Sequence, residues 1–390
     1  MIQKAYKFRI YPNKIQESLL NKTFGCVRYA WNQWVENFNN RTTIFKTPKQ
    51  FKEEKEWIKE ISSAAIQQKE RDFVEFKNQF FNKKRKKKIG RPSFKSRKQR
   101  QSYRLPNQKF YLIDNKIHLE KIGNVKVILD RIIPKDVKFV NVTISKDLCG
   151  DYFASVLVEE NIISKPKTGK AVGIDVGLKS FAVLSNGDVI DNPQYFRENQ
   201  SELKRLQQHL SKKVKGSNHK FQTKRQVARI HRKIERQRNY FLHNVSSYIV
   251  NNFDVIAIED LNVAGMVKNR CLAKSISDVS WATFFKQLEY KTAWYGKEFR
   301  KADRFEPTSK TCNVCGYYYK DLTLDVREWV CPCCSTKHDR DDNASKNILK
   351  TSVGVDTELQ TWRECKTEED LELTAVPCEV SMISVRNNFL

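Results

Sequence analysis

Polar and apolar residues alternate over residues 5–11 (AYKFRIY) and the run halts at Pro12, which predicts a strand with a hard end. The period then changes. Leu20, Phe24, Val27, Trp31, Val35 and Phe38 recur every three or four residues, so a helix is expected, and a second amphipathic pattern runs over about 51–81. Over residues 103–158 the short β-rich runs VKVIL, VKFVNVTI and YFASVLV are separated by turn residues. They predict a small sheet or barrel, which the first strand can join across the helical insertion.

After a linker at 161–170, AVGIDVGLKSFAVLSNGDVI reads as two strands with a tight turn at Gly177 and a hairpin signal at Asn186-Gly187. A long basic helical region is expected over 202–250, with Val227, Ile230, Ile234, Phe241, Val245 and Ile249 on one face. The run VIAIED is β-branched and almost wholly apolar, as a buried parallel strand ending at Glu259 requires. A loop to Ser280 and a helix around Trp281, Phe285, Leu288 and Tyr295 follow, and the tail beyond Lys350 is acidic.

Length and charge narrow the class. With 390 residues, of which 39% are hydrophobic, two or three folded domains are expected. The chain carries 72 Lys+Arg against 45 Asp+Glu, a net charge of +27, and such a surplus favours a polyanionic partner, nucleic acid, over a small acidic substrate. The densest run, NKKRKKKIGRPSFKSRKQR over 82–100, reads as a phosphate-binding arm. MIQKAYKFRIYP has no apolar signal core and no apolar run approaches a membrane span, so no membrane partner is expected and the ten cysteines read as metal ligands and buried thiols of a cytosolic or nuclear protein.

Four of those cysteines are patterned. Cys312-x2-Cys315 and Cys331-x2-Cys334 are two knuckles fifteen residues apart, the spacing of a closed tetrahedral zinc site with structural duty; Cys333 or His338 remains an alternative to Cys334. The carboxylates point to chemistry. Asp175 ends one buried strand and Glu259 another, and open α/β sheets gather ligands at the carboxyl ends of their strands. A third acid is expected from Asp339, Asp341 and Asp342, clustered at the start of a helix. Three such acids hold Mg²⁺ or Mn²⁺, and two ions about 4 Å apart serve phosphodiester cleavage.

KFRIYPNKIQ, GRPSFKSR, GIDVGLKSFAVLSNG, IEDLNVAGM, SKTCNVCG and the CPCC-HDRDDNASKNI block together resemble the TnpB (OrfB) family of transposon-associated RNA-guided DNA endonucleases, relatives of type V CRISPR effectors. The resemblance covers residues 1–350. It implies a multidomain α/β chain: a wedge β-barrel domain at 1–11 and 101–165, a helical recognition lobe with its basic arm at 12–100, an RNase H-like RuvC nuclease domain at 166–305 and 336–350, an inserted zinc ribbon at 306–335, and the acidic C-terminal tail at 351–390. The D-R-D-x-N-A pattern selects Asp341, beside Asp175 and Glu259, as the third metal-binding acid. Guide RNA from the transposon end and double-stranded target DNA are the implied partners in a cytoplasmic setting, nucleoid-associated in a prokaryotic host, with 263–280 as a lid over the site. Lys84, Arg85, Lys86, Lys87, Arg91, Lys95, Arg225, Arg229, Arg232, Lys233 and Arg236 are the expected nucleic-acid contacts. A silent DNA-binding regulator and an RNase H-fold transposase are the competing readings. The family's usual knuckle glycine is replaced by Ser335, which implies strain in that turn.

Overall fold

The computed structural model describes residues 1–353 apart from 43–44, 86–87, 162–163, 270, 305 and 324, so nearly all of the acidic tail lies outside the described residues. Contacts divide the chain into two compact units, Met1–Ser164 with Tyr195–Asn239, and Lys165–Gln194 with Tyr240–Leu390.

The first unit opens with β1 (Ile2–Tyr11), α1 (Lys14–Asn39), α2 (Pro48–Glu54) and α3 (Ser63–Phe81). Asn13 starts α1 with a capping box closed by Gln16, and Thr47, Pro48 and Gln50 start α2 in the same way, so backbone donors at both helix entries are satisfied. Strands β2 (Gln101–Pro106), β3 (Phe110–Ile113), β4 (Lys116–Leu119), β5 (Gly123–Ile128), β6 (Lys138–Lys146) and β7 (Tyr152–Glu160) complete an antiparallel sheet with β1. Its order is β2–β6–β7–β1–β5–β4–β3, with β1 paired to β7 from Ile2↔Glu160 onward and to β5 from Arg9↔Ile128. The first strand therefore sits inside the sheet it precedes by about a hundred residues. Phe8 and Ile10 of β1, Leu20, Phe24 and Trp34 of α1, and Phe73 of α3 belong to one buried core with the strands, so α1, α2, α3 and the sheet share an interior.

The expected pattern over 51–81 is two helices, because a short 3-10 turn at Glu56–Ile58 buries Ile58 and Ile61 between them. The expected helix over 202–250 also divides, into α5 (Gln200–Ser211) and α6 (Asn218–Asn252), following the four-residue α4 (Tyr195–Glu198). Gly216 takes φ +92° in the break, a conformation that ends a helix and that β-carbons oppose. The segment Tyr195–Asn239, expected with the later residues, groups with the first unit. There Arg232 pairs with Asp147 (2.8 Å) and with Asp151 beside it, and Leu203, Ile230 and Ile234 form a small core of their own.

The second unit is built on β8 (Ala171–Asp175), β9 (Ser180–Leu184), β10 (Val189–Asp191), β11 (Val255–Glu259) and β12 (Glu298–Ala302), in the order β10–β9–β8–β11–β12. β11 runs parallel to both β8 and β12. Between β11 and β12 lie α7 (Val263–Met266), α8 (Ala273–Val279) and α9 (Trp281–Tyr295). The chain ends in the antiparallel pair β13 (Glu328–Val330) and β14 (Lys337–Asp339) and then α10 (Arg340–Val353).

Strand alternation sorts the side chains of this sheet. Val172 and Ile174 of β8 and Ile256 and Ile258 of β11 enter one core with Leu242, Val245 and Ile249 of α6 and Trp281, Phe284 and Leu288 of α9. Across that layer, Lys291 is pushed down to about 8 by burial and donates to the His243 carbonyl (2.9 Å) and to the hydroxyls of Ser246 (2.7 Å) and Ser247 (2.8 Å). The opposite face carries the small residues Gly173 and Ala257, paired in register, and Ala302, and there Ile348 of α10 packs. Asp175 and Glu259 follow Gly173 and Ala257 by two residues, so they share the α10 face.

Gly173 is what lets the helix come so near. A β-carbon there would stand 2.1 Å from the Ser345 carbonyl oxygen and 2.7 Å from the Leu349 nitrogen, both backbone atoms that no rotamer can move. Gly173→Ala should therefore destabilise the protein by about 1–3 kcal/mol in chemical denaturation, as overpacking does. Gly90→Ala, with nothing within 4 Å, should leave the denaturation midpoint unchanged.

Candidate active site and metal centre

The patterned cysteines converge. The sulfurs of Cys312, Cys315, Cys331 and Cys334 all lie within 4.8 Å of one another, the arrangement that holds one tetrahedral ion. The two knuckles are built alike. The Cys312 carbonyl accepts from Gly316 N (3.0 Å) and Cys312 N donates to the Tyr317 carbonyl (2.9 Å), while the Cys331 carbonyl accepts from Ser335 N (2.9 Å) and Cys331 N donates to the Thr336 carbonyl (2.9 Å). Gly316 has φ +76° and Ser335 φ +56°, so the serine adopts the left-handed turn that its glycine counterpart adopts freely. His338, the alternative ligand, is buried against Trp329, with Nε2 3.0 Å from the Cys312 sulfur. Burial pushes the Cys312 thiol up and Cys315 up to about 12, an environment in which thiolates form when a cation replaces the protons.

The three clustered aspartates divide their duties. Asp339 accepts from the backbone nitrogens of Asp341 and Asp342, both at 3.0 Å, and so caps α10. Asp342 pairs with Lys346 one turn on, at 2.7 Å. Asp341 is left to face Asp175. Burial, then the neighbouring charges of Asp341 and Glu259, raise the Asp175 carboxyl to about 8. Glu259 is raised as well, by burial and then by Asp260. Asp175 and Glu259 thus stand at neighbouring parallel strand ends, and the charge of Asp341, more than 160 residues further along the chain, reaches Asp175 from the mouth of α10. Anionic groups forced together in this way are relieved by a divalent cation, and oxygen is the donor that Mg²⁺ and Mn²⁺ take.

Two features of this site were missed in the sequence. Arg327, just before β13, holds both oxygens of Asp341 from Nη1 at 3.0 Å; its half-exposed side chain makes this pair worth under about 1 kcal/mol, too little to lock the carboxylate against a competing cation. Asn343 and Asn347 are buried one turn apart on α10 and reach back to the first knuckle. Their amides donate to the Thr311 carbonyl at 2.8 and 2.6 Å, and Asn343 Oδ1 accepts from Asn313 N at 2.9 Å. Lys350 adds a bond to the Asn313 carbonyl. Polar residues four apart on an otherwise buried helix face were the available clue.

Beside Glu259 a cavity of about 390 Å³ is lined by Asp260, Asn262, Lys286, Lys301 and Arg304; Arg304 is paired with Asp260 at 2.5 Å, which leaves Lys286 and Lys301 as the cations suited to phosphate next to Glu259. In the first unit a larger cleft of about 930 Å³ is lined by Arg28, Arg97, Lys98, Lys146, Lys224 and Arg225. Burial and then Arg97 lower the Arg28 guanidinium, a sign of crowded like charge.

The expected nucleic-acid contacts fare unequally. Lys84, Arg85, Arg91, Arg225, Arg229 and Arg236 are exposed, and Lys86 and Lys87 lie outside the described residues. Lys233 is exposed but donates to Asn199 Oδ1 at 3.1 Å. Arg232 is spent on its ion pairs with Asp147 and Asp151. Lys95 is folded onto the Trp31 ring at 4.2 Å and lowered to about 8 by burial and then Lys69. Its segment is clamped to α1, where Lys95 N donates to Asn32 Oδ1 (2.8 Å) and Trp31 Nε1 donates to the Ser93 carbonyl (3.0 Å). No helix of the described residues is long and apolar enough to cross a membrane.

Comparison with known proteins gives three family matches: "Probable transposase" of the OrfB_IS605 type over residues 154–270, "Cas12f1-like, TNB domain" over 281–348, and "Helix-turn-helix domain" over 1–41, where the structure has β1 and α1. A Streptomyces pristinaespiralis protein named "Putative RNA-guided DNA endonuclease" is 36% identical over 368 residues, covering 91% of this chain and 90% of the relative. The Escherichia coli K12 protein named "Putative RNA-guided DNA endonuclease InsQ" is 30% identical over 393 residues, covering 90% of this chain and 93% of the relative. Among solved structures, the protein of a Cas12f1-sgRNA-target DNA complex aligns with TM-score 0.55 at 14% identity, covering 89% of this chain and 98% of that one, which shows a Cas12f1-like mixed α/β fold.

Two outcomes follow from the geometry. Ser335→Gly should stabilise the second knuckle by about 1 kcal/mol by removing a left-handed β-carbon, read as slower metal release to a chelator. For Asp175 the sign is fixed by its raised pKa: the folded state keeps a proton that the unfolded state loses, so stability of metal-free protein falls as pH rises from the ordinary carboxylate range near 4 to about 8. Asp175→Asn should raise the thermal midpoint at pH 8 and change it little at pH 4; an equal gain at both would contradict the crowding of the acids.

Proposed function

The chain belongs to the TnpB (OrfB) family, and on that premise we propose that it is an RNA-guided DNA endonuclease that cuts at Asp175, Glu259 and Asp341. The observation that carries this reading is the crowding of Asp175 by two other carboxylates, Glu259 at the end of the neighbouring parallel strand and Asp341 in the first turn of α10. In the proposed site, Asp175 on β8 and Glu259 on β11 supply oxygen ligands from a rigid sheet, and Asp341 closes the set from α10. Mg²⁺ or Mn²⁺ bound there supplies an activated water and neutralises charge developing on the scissile phosphate. Lys286 and Lys301 line the adjoining cavity and are suited to hold the flanking phosphates. Arg327 trades Asp341 for the incoming ligand at small cost.

The four cysteines hold zinc in a closed shell that takes no part in the reaction. Their work is placement, since the knuckle is bonded to α10 through Asn343 and Asn347. We assign residues 166–305 and 336–350 to a RuvC-like, RNase H-like nuclease domain, with the ribbon 306–335 inserted and the segment Tyr195–Asn239 carried by the first unit. Residues 1–11 and 101–165 form the wedge and 12–100 the recognition lobe. The basic cleft of that first unit takes guide RNA and target DNA by their backbones, while base pairing supplies sequence.

The test is cleavage of a plasmid target by protein purified together with RNA from its flanking DNA, in Mg²⁺. Wild type should cut the guided target, and Asp175→Ala or Asp341→Ala should abolish cutting while guide and target binding persist. Binding without cleavage by wild type, or strand-transfer products without RNA, would refute the proposal; retained cutting by either variant would refute the site.

A further inference from the structure

A second pocket lies in the first unit, away from the basic cleft, between the C-terminal ends of α1 and α3. It encloses about 600 Å³, the size of a small-ligand site, and is walled by aromatic rings. Phe80 meets Phe38 edge-on (5.3 Å, 84°) and Phe81 edge-on (5.1 Å, 90°), and Phe45 stacks on Trp34 (5.4 Å, 11°). Phe81 is 63% exposed, which leaves in water a ring whose full burial is worth about 1.5–3 kcal/mol. Arg41, Lys77 and Arg91 also line the pocket, and no Asp or Glu is among its described lining residues. Lys77 Nζ stands 5.3 Å from the Phe45 ring centre, and Arg41, just past the end of α1, has φ +55°.

We propose that this pocket receives one unpaired nucleotide of a single-stranded nucleic acid, with the base against Phe38, Phe80 and Phe81 and its phosphate on Arg41, Lys77 and Arg91. An apolar protein segment would satisfy the rings but leave three cations at its edge unmatched. A lone phosphate would satisfy the cations but not the rings. A nucleotide satisfies both, because each base presents a flat π surface and each phosphate a charge, and stacking of a base on aromatic rings is tolerant of sequence. Duplex is disfavoured, since a paired base enters only by flipping out of its stack, which costs both its pairing and its stacking. The proposal deepens the nucleic-acid reading above and rests on it for the presence of a polyanion. It does not depend on the cutting site.

The experiment uses the full chain stripped of co-purified RNA and no cleavage readout. Short RNA and DNA strands carrying 5-iodouracil, each alone and annealed to its complement, are photocrosslinked to it and the modified peptide identified. The expected result is a crosslink in the peptide of Phe80 and Phe81 from single strands and none from duplexes; whether RNA or DNA gives it identifies the source strand. Phe81→Ala, an exposed position, should lose the crosslink and weaken single-strand binding about tenfold, the worth of one stacked base, with duplex binding unchanged. Arg91→Gln, which keeps every ring, should weaken the same binding. Crosslinks confined to other peptides, an equal loss of duplex binding, or Phe81-dependent self-association without a crosslink would overturn the proposal, even if guided cleavage is observed.

Discussion

The contact between α10 and the bare backbone of β8 at Gly173 is the constraint on which the second unit depends. With only hydrogen at that position, and alanines at 257 and 302 alongside, the last helix lies directly on the sheet. The period of two along a strand then does the rest. Asp175 and Glu259 stand two residues beyond Gly173 and Ala257, so the packing face and the acidic face are the same face at different heights. A helix starting at Arg340 brings Asp341 to the strand ends and Ile348 to the alanines in a single placement. Moving the helix outward by even one methyl would loosen the core and separate the acids together.

A short ribbon is a weak anchor by itself, and the second unit compensates with hydrogen bonds rather than area. Asn343 and Asn347 bring amides into a buried place where both donate to the carbonyls of Thr308 and Thr311, so loss of one leaves each carbonyl the other amide and only loss of both would orphan them, at about 1–3 kcal/mol each. The cysteine cluster is thereby coupled to the helix that carries Asp341, although none of its sulfurs is near the carboxylates in function. Ser335 shows that this coupling tolerates local strain: a left-handed serine persists because both knuckle hydrogen bonds around it are kept.

What could be read from the sequence was whatever obeys a short period or a fixed spacing. The strand-end acids, the two C-x2-C pairs and the parallel strand before Glu259 are of this kind. β12 was not legible, because EFRKA is an edge strand whose polar residues carry no alternation of burial, and the break at Gly216 was hidden by apolar residues that continue in phase on either side. Among the cations, sequence density did not distinguish Arg225, open in a cleft, from Arg232, paired with two aspartates, or from Lys95, lying on Trp31. Those fates depend on partners 60 to 85 residues away. The same is true of Asp339, Asp341 and Asp342: neighbouring identical residues are separated only by which of them caps, which pairs and which turns toward β8.

Charge ties these observations together. In a chain of net charge +27, the half-buried Asp175 lies under the negative charges of Asp341 and Glu259 and is raised to about 8, an arrangement that a bound cation would relieve. A crystal structure of the full chain soaked in Mn²⁺, with data collected at the manganese absorption edge, tests this most directly. Anomalous density bridging Asp175, Glu259 and Asp341, with Arg327 released from Asp341, is the predicted result. Arg327 still holding both oxygens of Asp341, with no density among the three acids at saturating Mn²⁺, would contradict it.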